Sequence, residues 1–280
     1  MNFKRTAVRF LMKLSRPGAI AYCLAAFLRL LLRLVPVRKK VASRNLEIAL
    51  PEKTPRERHR ILRGTYDHLV WLGIEFMALA RNPRDVLGWV EVENPEALND
   101  NVGGILLACH VGNWELAAAW VAQSGHKITV MSRNFKGTGE LDVIEEIRLH
   151  AGVKLLITSD PMKKAVSLLR KNEFLAITPD QHGGNNGLDV PLFGLETPTA
   201  QGPAVFTYLT KKPIIPVFTH RIAPFRHVIR LGSPIEWEDA GDRDRTIHGI
   251  TRMVNEAVEQ IIRETPDQWL AQHRRFRGHY

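Results

Sequence analysis

The chain has 280 residues, 45% of them hydrophobic, and a formal charge of +10. That length and composition suit one substantial core, and no stretch reads as a long linker or a second full domain. The charge is local: residues 1–63 hold 16 Lys+Arg against 3 Asp+Glu, while the rest holds 23 against 26. A basic segment lying on an apolar one, ahead of a slightly acidic body, argues for an anionic membrane surface and against a nucleic-acid groove.

Residues Ala19–Val35 are strongly apolar but interrupted by Arg29 and Arg33. The uninterrupted part falls short of the roughly 20 residues that a span needs, so an interfacial helix is expected. A helix packed on the domain's own core is the alternative. Lys4, Arg5, Arg9, Lys13 and Arg16 precede this stretch, and no A-x-A-like cleavage site follows before Arg38-Lys39-Lys40. The segment therefore reads as a retained anchor over residues 1–50, with a catalytic domain over 51–280.

From Thr54 to Leu79 apolar residues recur at three- and four-residue steps, and Thr54-Pro55 supplies a cap and a proline for the first turn. Strands and helices then alternate. Residues 103–110, 127–134, 153–158 and 174–180 read as strands, with helices after Asn113, from Glu140 to His150 and over Met162–Arg170. Helix 204–210, strands 213–222 and 227–235, and an amphipathic helix through Ile247–Ile261 complete the pattern. The order predicts an α/β fold: a single-domain sandwich around a mixed, largely parallel sheet flanked by helices, with an N-terminal membrane-associated helix. Ligands of such sheets bind beyond the carboxyl ends of the strands, where His110, Arg133 and Asp180 are all expected.

His110-Val111-Gly112-Asn113-Trp114-Glu115 is the stretch that points to chemistry. On a continuous helix a five-residue step turns two side chains apart, but a strand-to-helix turn at Gly112, capped by Asn113, lets Glu115 reach back toward His110. A carboxylate on one ring nitrogen fixes the tautomer and stabilises the imidazolium, which makes His110 a candidate general base. A capping histidine followed by an ordinary first-turn acid fits the spacing equally well. Cys109 beside it is expected to face the core, since neighbouring strand residues point to opposite faces. No HExxH or clustered Cys/His spacing suggests a metal.

Five further blocks accompany this one in order. They are Arg44-Asn45-Leu46 with Leu50-Pro51; Ser132-Arg133-Asn134; Thr178-Pro179-Asp180-Gln181; Val190 to Gly194 followed by Thr197 to Ala204; and Gln272 to Arg277. Together with CHVGNWEL they resemble the lipid A biosynthesis acyltransferases, the H-x4-E enzymes of the bacterial inner membrane. The family's acidic block commonly reads D-H-D where this chain has Asp180-Gln181-His182. The resemblance implies a His110–Glu115 dyad, an acyl carrier protein thioester as donor, a glycolipid or lipid A precursor hydroxyl as acceptor, and no metal or organic cofactor. It also implies the bacterial inner membrane; Cys23 and Cys109, without a CxxC pair or disulfide framework, suit a reducing compartment and so its cytoplasmic face, and the charge distribution argues against a nucleic-acid partner.

In the same reading Arg133, Asn134, Asp180, Thr199 and Gly202 bind substrate. Arg133 would meet a phosphate or the developing oxyanion, and Asp180 would position Arg133 or the acceptor sugar. A surface salt bridge and a simple turn former are the alternatives for these two. The Thr197–Gly202 segment would offer backbone donors to the thioester, or be a plain Pro/Gly loop. A lysophospholipid or mannosyl lipid is the rival acceptor, although Glu115 in place of Asp favours a saccharolipid. A non-enzymatic basic membrane or nucleic-acid binder is the rival of another class.

Overall fold

A computed structural model describes residues 14–15, 17–132 and 141–280. Helix α1 (Ala19–Leu34) is followed by α2 (Lys39–Ala49), the two meeting at 90°. Next comes α3 (Pro55–Leu79), which starts in a reciprocal cap: Thr54 Oγ1 accepts from the Glu57 amide, and Glu57 accepts from the Thr54 amide at 2.7 Å. A short helix α4 (Val86–Trp89) leads into β1 (Val90–Glu93). The α/β part then runs β2 (Gly104–Leu107), α5 (Trp114–Gln123), β3 (Ile128–Ser132), α6 (Leu141–His150), β4 (Lys154–Ile157), α7 (Met162–Arg170) and β5 (Phe174–Ile177). After it come β6 (Leu188–Leu192), β7 (Leu195–Thr199), α8 (Gly202–Thr210), β8 (Ile214–Ala223), β9 (Arg226–Leu231) and α9 (Arg243–Glu264).

Seven strands form one sheet in the order β1-β9-β8-β2-β5-β3-β4. All neighbours are parallel except β8 and β9. The expected α/β sandwich with a mixed, mostly parallel sheet is therefore the observed one. The two central strands explain why: every residue of β2 and β5 is buried, so both faces need a helical cover. Side chains alternate between two cores. Leu106, Phe174, Ala176 and Ile215 pack under α5 and α6, while Ile105, Leu107, Leu175, Ile177 and Ile214 pack under α7, α8 and α9.

Two parts depart from expectation. Residues 188–199 form an antiparallel hairpin, β6–β7, lying against α9, in a stretch to which the sequence pattern assigned no strand. Helix α2, within the expected anchoring segment, also packs on the body of the protein. Ala42, Leu46 and Ala49 are sealed in a core with Trp269 and Phe276, and Asn45 donates to the carbonyls of Ala271 (2.7 Å) and His273 (2.6 Å).

Helix α1 is two-sided. Ala21 and Ala25 pack on Val70, Trp71 and Ile74 of α3, whereas Phe27, Leu30 and Leu34 are 58%, 55% and 71% exposed. Among the described residues no single helix is long and apolar enough to cross a membrane; the bent pair α1–α2 passes by length and composition only.

Candidate active site

Strand register builds the site. β2 and β5 are parallel neighbours with Leu107 opposite Ile177. His110 and Asp180 each follow their strand by the same three residues, so they emerge side by side at the carboxyl edge. Asp180 Oδ1 lies 2.8 Å from His110 Nδ1, and its Oδ2 accepts the His110 backbone N–H at 3.1 Å. One carboxylate thus fixes both the ring and the backbone of the histidine.

Burial pushes the Asp180 carboxyl up, but the imidazole and both hydrogen bonds of His110, with the charge of Arg275, outweigh it and hold the acid below its ordinary range. An ionised Asp180 only accepts, so Nδ1 is the donor in this bond. Gln181 Nε2 stands 3.3 Å from the other ring nitrogen, Nε2. The His110 side chain is 18% exposed against 2% for Asp180, which leaves the imidazole a face toward solvent.

The expected contact of Glu115 with His110 is replaced by another. Glu115 sits in the first turn of α5 and takes a two-pronged ion pair from Arg148 of α6, at 2.6 Å from Nη2 and 2.9 Å from Nε. A planar guanidinium matches a carboxylate in this way and occupies both oxygens. Trp114 Nε1 donates to Glu115 at 3.0 Å, and the same indole meets the His110 ring edge-on at 4.7 Å between centroids. Glu115 therefore bears on His110 through Trp114, while the direct carboxylate partner is Asp180. Burial lowers the proton affinity of Arg148, but Glu115 and Glu145 more than restore it.

The turn between them follows the sequence closely. Gly112 has φ 58°, and a Cβ there would clash with the Thr219 carbonyl oxygen. Asn113 caps α5 by accepting from Leu116 N at 3.2 Å. Its amide donates to Glu75 at 2.8 Å. Glu75 is fully buried among Arg221 (2.8 Å), His227 (3.1 Å) and the Phe225 amide (3.0 Å). Burial pushes this carboxyl up, yet His227 and Arg221 bring it down to about 2. From the other side, Gln268 O accepts from Gly112 N at 3.0 Å and His110 O from Leu270 N at 2.8 Å. The loop is clamped by α3, β8 and residues 268–270.

Arg133 and Asn134 lie outside the described residues. Thr199 is fully buried, and its hydroxyl is engaged by Arg275 Nη2 at 2.7 Å and Asn255 Nδ2 at 3.0 Å. It braces the hairpin and presents no free hydroxyl to a ligand. Gly202 opens α8, where a Cβ would lie 3.9 Å from Ile177 at the end of β5. Cys109 is buried as expected; burial and the charge of Asp180 raise its thiol well above the ordinary value, so it stays protonated.

Sequence reasoning missed Arg275. It is wholly buried, donating to Thr197 (2.9 Å) and Pro198 O (2.7 Å) besides Thr199, and it sets part of the field at Asp180. Burial lowers its own proton affinity to about 10, so it remains a cation at neutral pH. Its place in the H-R-R-F tail was the available signal. Gln181 stood in the Thr178–Gln181 block, whereas Arg148 and Glu75 had no signal beyond their residue type. Among the described residues no three His, Cys, Asp or Glu side chains converge as a metal-binding group.

Residues 7–278 match the family model described as bacterial lipid A biosynthesis acyltransferase. The lipid A biosynthesis lauroyltransferase of Escherichia coli (strain K12) is 26% identical over 271 residues, covering 93% of this chain and 86% of that one. A phosphatidylinositol mannoside acyltransferase of Mycobacterium tuberculosis (strain CDC 1551 / Oshkosh) is 25% identical over 142 residues, 49% of this chain and 45% of its own. Among solved structures, the 1-acyl-sn-glycerophosphate acyltransferase PlsC from Thermotoga maritima aligns with a TM-score of 0.37 at 11% identity, over 78% of this chain and 96% of that one. With nearly its whole length matched by the family model, the chain belongs to the bacterial lipid A biosynthesis acyltransferases and is an O-acyltransferase.

Proposed function

We propose that the protein moves a fatty acyl chain from an acyl carrier protein thioester to a hydroxyl of a lipid A precursor or related glycolipid, working at the cytoplasmic face of a bacterial inner membrane. The observation that carries this reading is the His110–Asp180 pair, with Nδ1 held at 2.8 Å by a buried carboxylate, Nε2 beside Gln181, and the imidazole partly exposed. The acceptor hydroxyl gives its proton to Nε2 while its oxygen attacks the thioester carbonyl. The tetrahedral adduct then collapses, the C–S bond breaks, and the imidazolium returns the proton to the departing sulfur. Asp180 stabilises the transient imidazolium. Glu115 and Arg148 form the wall that seats Trp114 against the base, with Arg133 and Asn134 beyond β3 as candidate contacts to the acceptor.

The exposed apolar face of α1 and the basic residues around it support binding to an anionic membrane surface rather than to nucleic acid. A mannosyl lipid acceptor is the second reading, favoured by the half-length similarity to the mannoside acyltransferase. Transfer of labelled acyl groups from acyl carrier protein to a tetra-acylated lipid A precursor, comparing wild type with His110→Ala, tests both. Transfer by wild type alone supports the donor, the acceptor class and the base together. Transfer only to a mannosyl lipid or lysophospholipid replaces the acceptor, and normal turnover by the variant overturns the mechanism.

A further inference from the structure

A cavity of about 320 Å³ opens between α1, the start of α2 and the first half of α3, lined by none of the residues of the candidate active site. Its size is at the small end of ligand pockets, which run from about 300 to 1,000 Å³. Leu32, Pro36 and Leu62 contribute its apolar walls, and Tyr66 lines it beside them. Its charge is one-sided. Arg29, Arg33, Lys39 and Arg63 contribute four cations against the single acid Asp67.

Asp67 is committed to Arg29, 3.3 Å from Nε, and that Nε is buried without a hydrogen-bond acceptor in suitable geometry. Among the described residues, Arg33, Lys39 and Arg63 have no acidic partner within ion-pair distance. Arg33, Lys39 and Arg63 are exposed, so water screens their mutual repulsion, but their fields add over the partly apolar recess and draw an anion to it.

The neighbouring surface says what kind of anion fits. Phe27, Leu30, Leu31 and Leu34 stand exposed on the outer side of the same helix that carries Arg29 and Arg33. A soluble phosphate uses only the cations, and an acidic protein leaves the leucines wet. A phospholipid engages both, headgroup in the recess and chains along the helix.

We propose that this cavity binds the phosphate headgroup of an anionic phospholipid whose acyl chains lie along the exposed face of α1. The lipid is a docking ligand that sets how the enzyme sits on the bilayer, distinct from the acceptor at His110. The proposal deepens the membrane part of the proposed function and rests on that part alone.

Flotation of the full-length protein with phosphatidylcholine vesicles, with and without phosphatidylglycerol, tests it. Arg33→Gln with Arg63→Gln is compared with a charge-matched pair away from the cavity, Lys163→Gln with Lys171→Gln on and just after α7; circular dichroism checks that each is folded. The cavity pair is expected to weaken binding to the anionic vesicles roughly 30-fold, from two cations at the surface. The distant pair is expected to stay within about threefold. Equal losses in both pairs overturn the proposal in favour of diffuse charge.

Full competition by millimolar inorganic phosphate overturns it in favour of a soluble anion. Unchanged flotation of the cavity pair with a raised KM for acyl carrier protein overturns it in favour of an acidic protein. Because flotation needs no turnover, a wild type that floats but transfers no acyl group leaves the proposal standing and counts only against the proposed reaction.

Discussion

Three histidine–carboxylate pairs occur among the described residues; His126–Asp100 lies at the surface, and the other two have opposite fates. His110 and Asp180 meet at a strand edge, with the far side of the imidazole exposed and a neutral Gln181 beside it. His227 and Glu75 meet 3.1 Å apart in the interior, where Glu75 also faces Arg221 and Asn113 and neither partner reaches solvent. The residue chemistry is nearly the same. The difference lies in what else the carboxylate must satisfy, and in whether the second ring nitrogen has room for a substrate. A carboxylate with one partner tunes a base; one with four becomes a strut.

The comparison makes separable predictions. Largest should be His110→Ala, with kcat reduced about 10²–10⁴-fold in the transfer assay and the denaturation midpoint within error of wild type. Asp180→Asn should follow with about 10²–10³-fold, because the amide no longer fixes the tautomer or offsets the imidazolium. Glu115→Gln should cost at least tenfold less than Asp180→Asn, and the reverse ranking would restore Glu115 as the partner of the base.

Glu75→Gln should invert the pattern. It leaves Arg221 buried and unpaired, so urea denaturation should show about 3–5 kcal/mol of lost stability, with any surviving folded fraction retaining the KM of wild type.

The interior cluster should also be acid-sensitive, as should Asp180, whose carboxyl is likewise held below its ordinary range. Glu75 is depressed from 4.5 to about 2, so its contribution is complete above pH 4.5 and is lost as pH falls toward 2. His68, which donor contact with Arg221 and burial keep neutral, is depressed from 6.5; the folded state resists its protonation, so stability already falls below pH 6.5. Thermal melts from pH 7 to 4 should therefore decline, and a flat profile would mean that the interior cluster is not protonation-linked. Smallest should be Thr199→Val, about 1–3 kcal/mol from the lost bonds to Arg275 and Asn255, with kcat changed only a few-fold; a large rise in KM instead would reinstate Thr199 as a substrate contact.

Much of this was legible in the sequence because it is local. Met162–Arg170 was expected as a helix and is α7 to the residue; the Thr54–Pro55 start, the Gly112 turn and the Asn113 cap are likewise written in adjacent residues. The β6–β7 hairpin was not legible, since Pro191 and Pro198 argue against strands, and only its pairing apart from the main sheet makes room for them. The partner of His110 was misplaced for a related reason. Spacing ranks Glu115 first because it is five residues away, whereas Asp180 becomes a neighbour only through the β2–β5 register. Arg148 looked like a cation in the last turn of a helix, and nothing in its surroundings marks it as the claimant on Glu115.

The clamp on the His110 loop has a consequence in time. Gln268 and Leu270 are made roughly 160 residues after His110, and at about 5–20 residues per second the ribosome takes on the order of 10–30 s to deliver them. Until then β2, α5 and β5 have been synthesised but the carbonyls of His110 and Gly112's amide lack their partners. On the proposed membrane docking, a nascent chain held at the bilayer by α1 would carry an unfinished centre until residues 268–270 close over the loop.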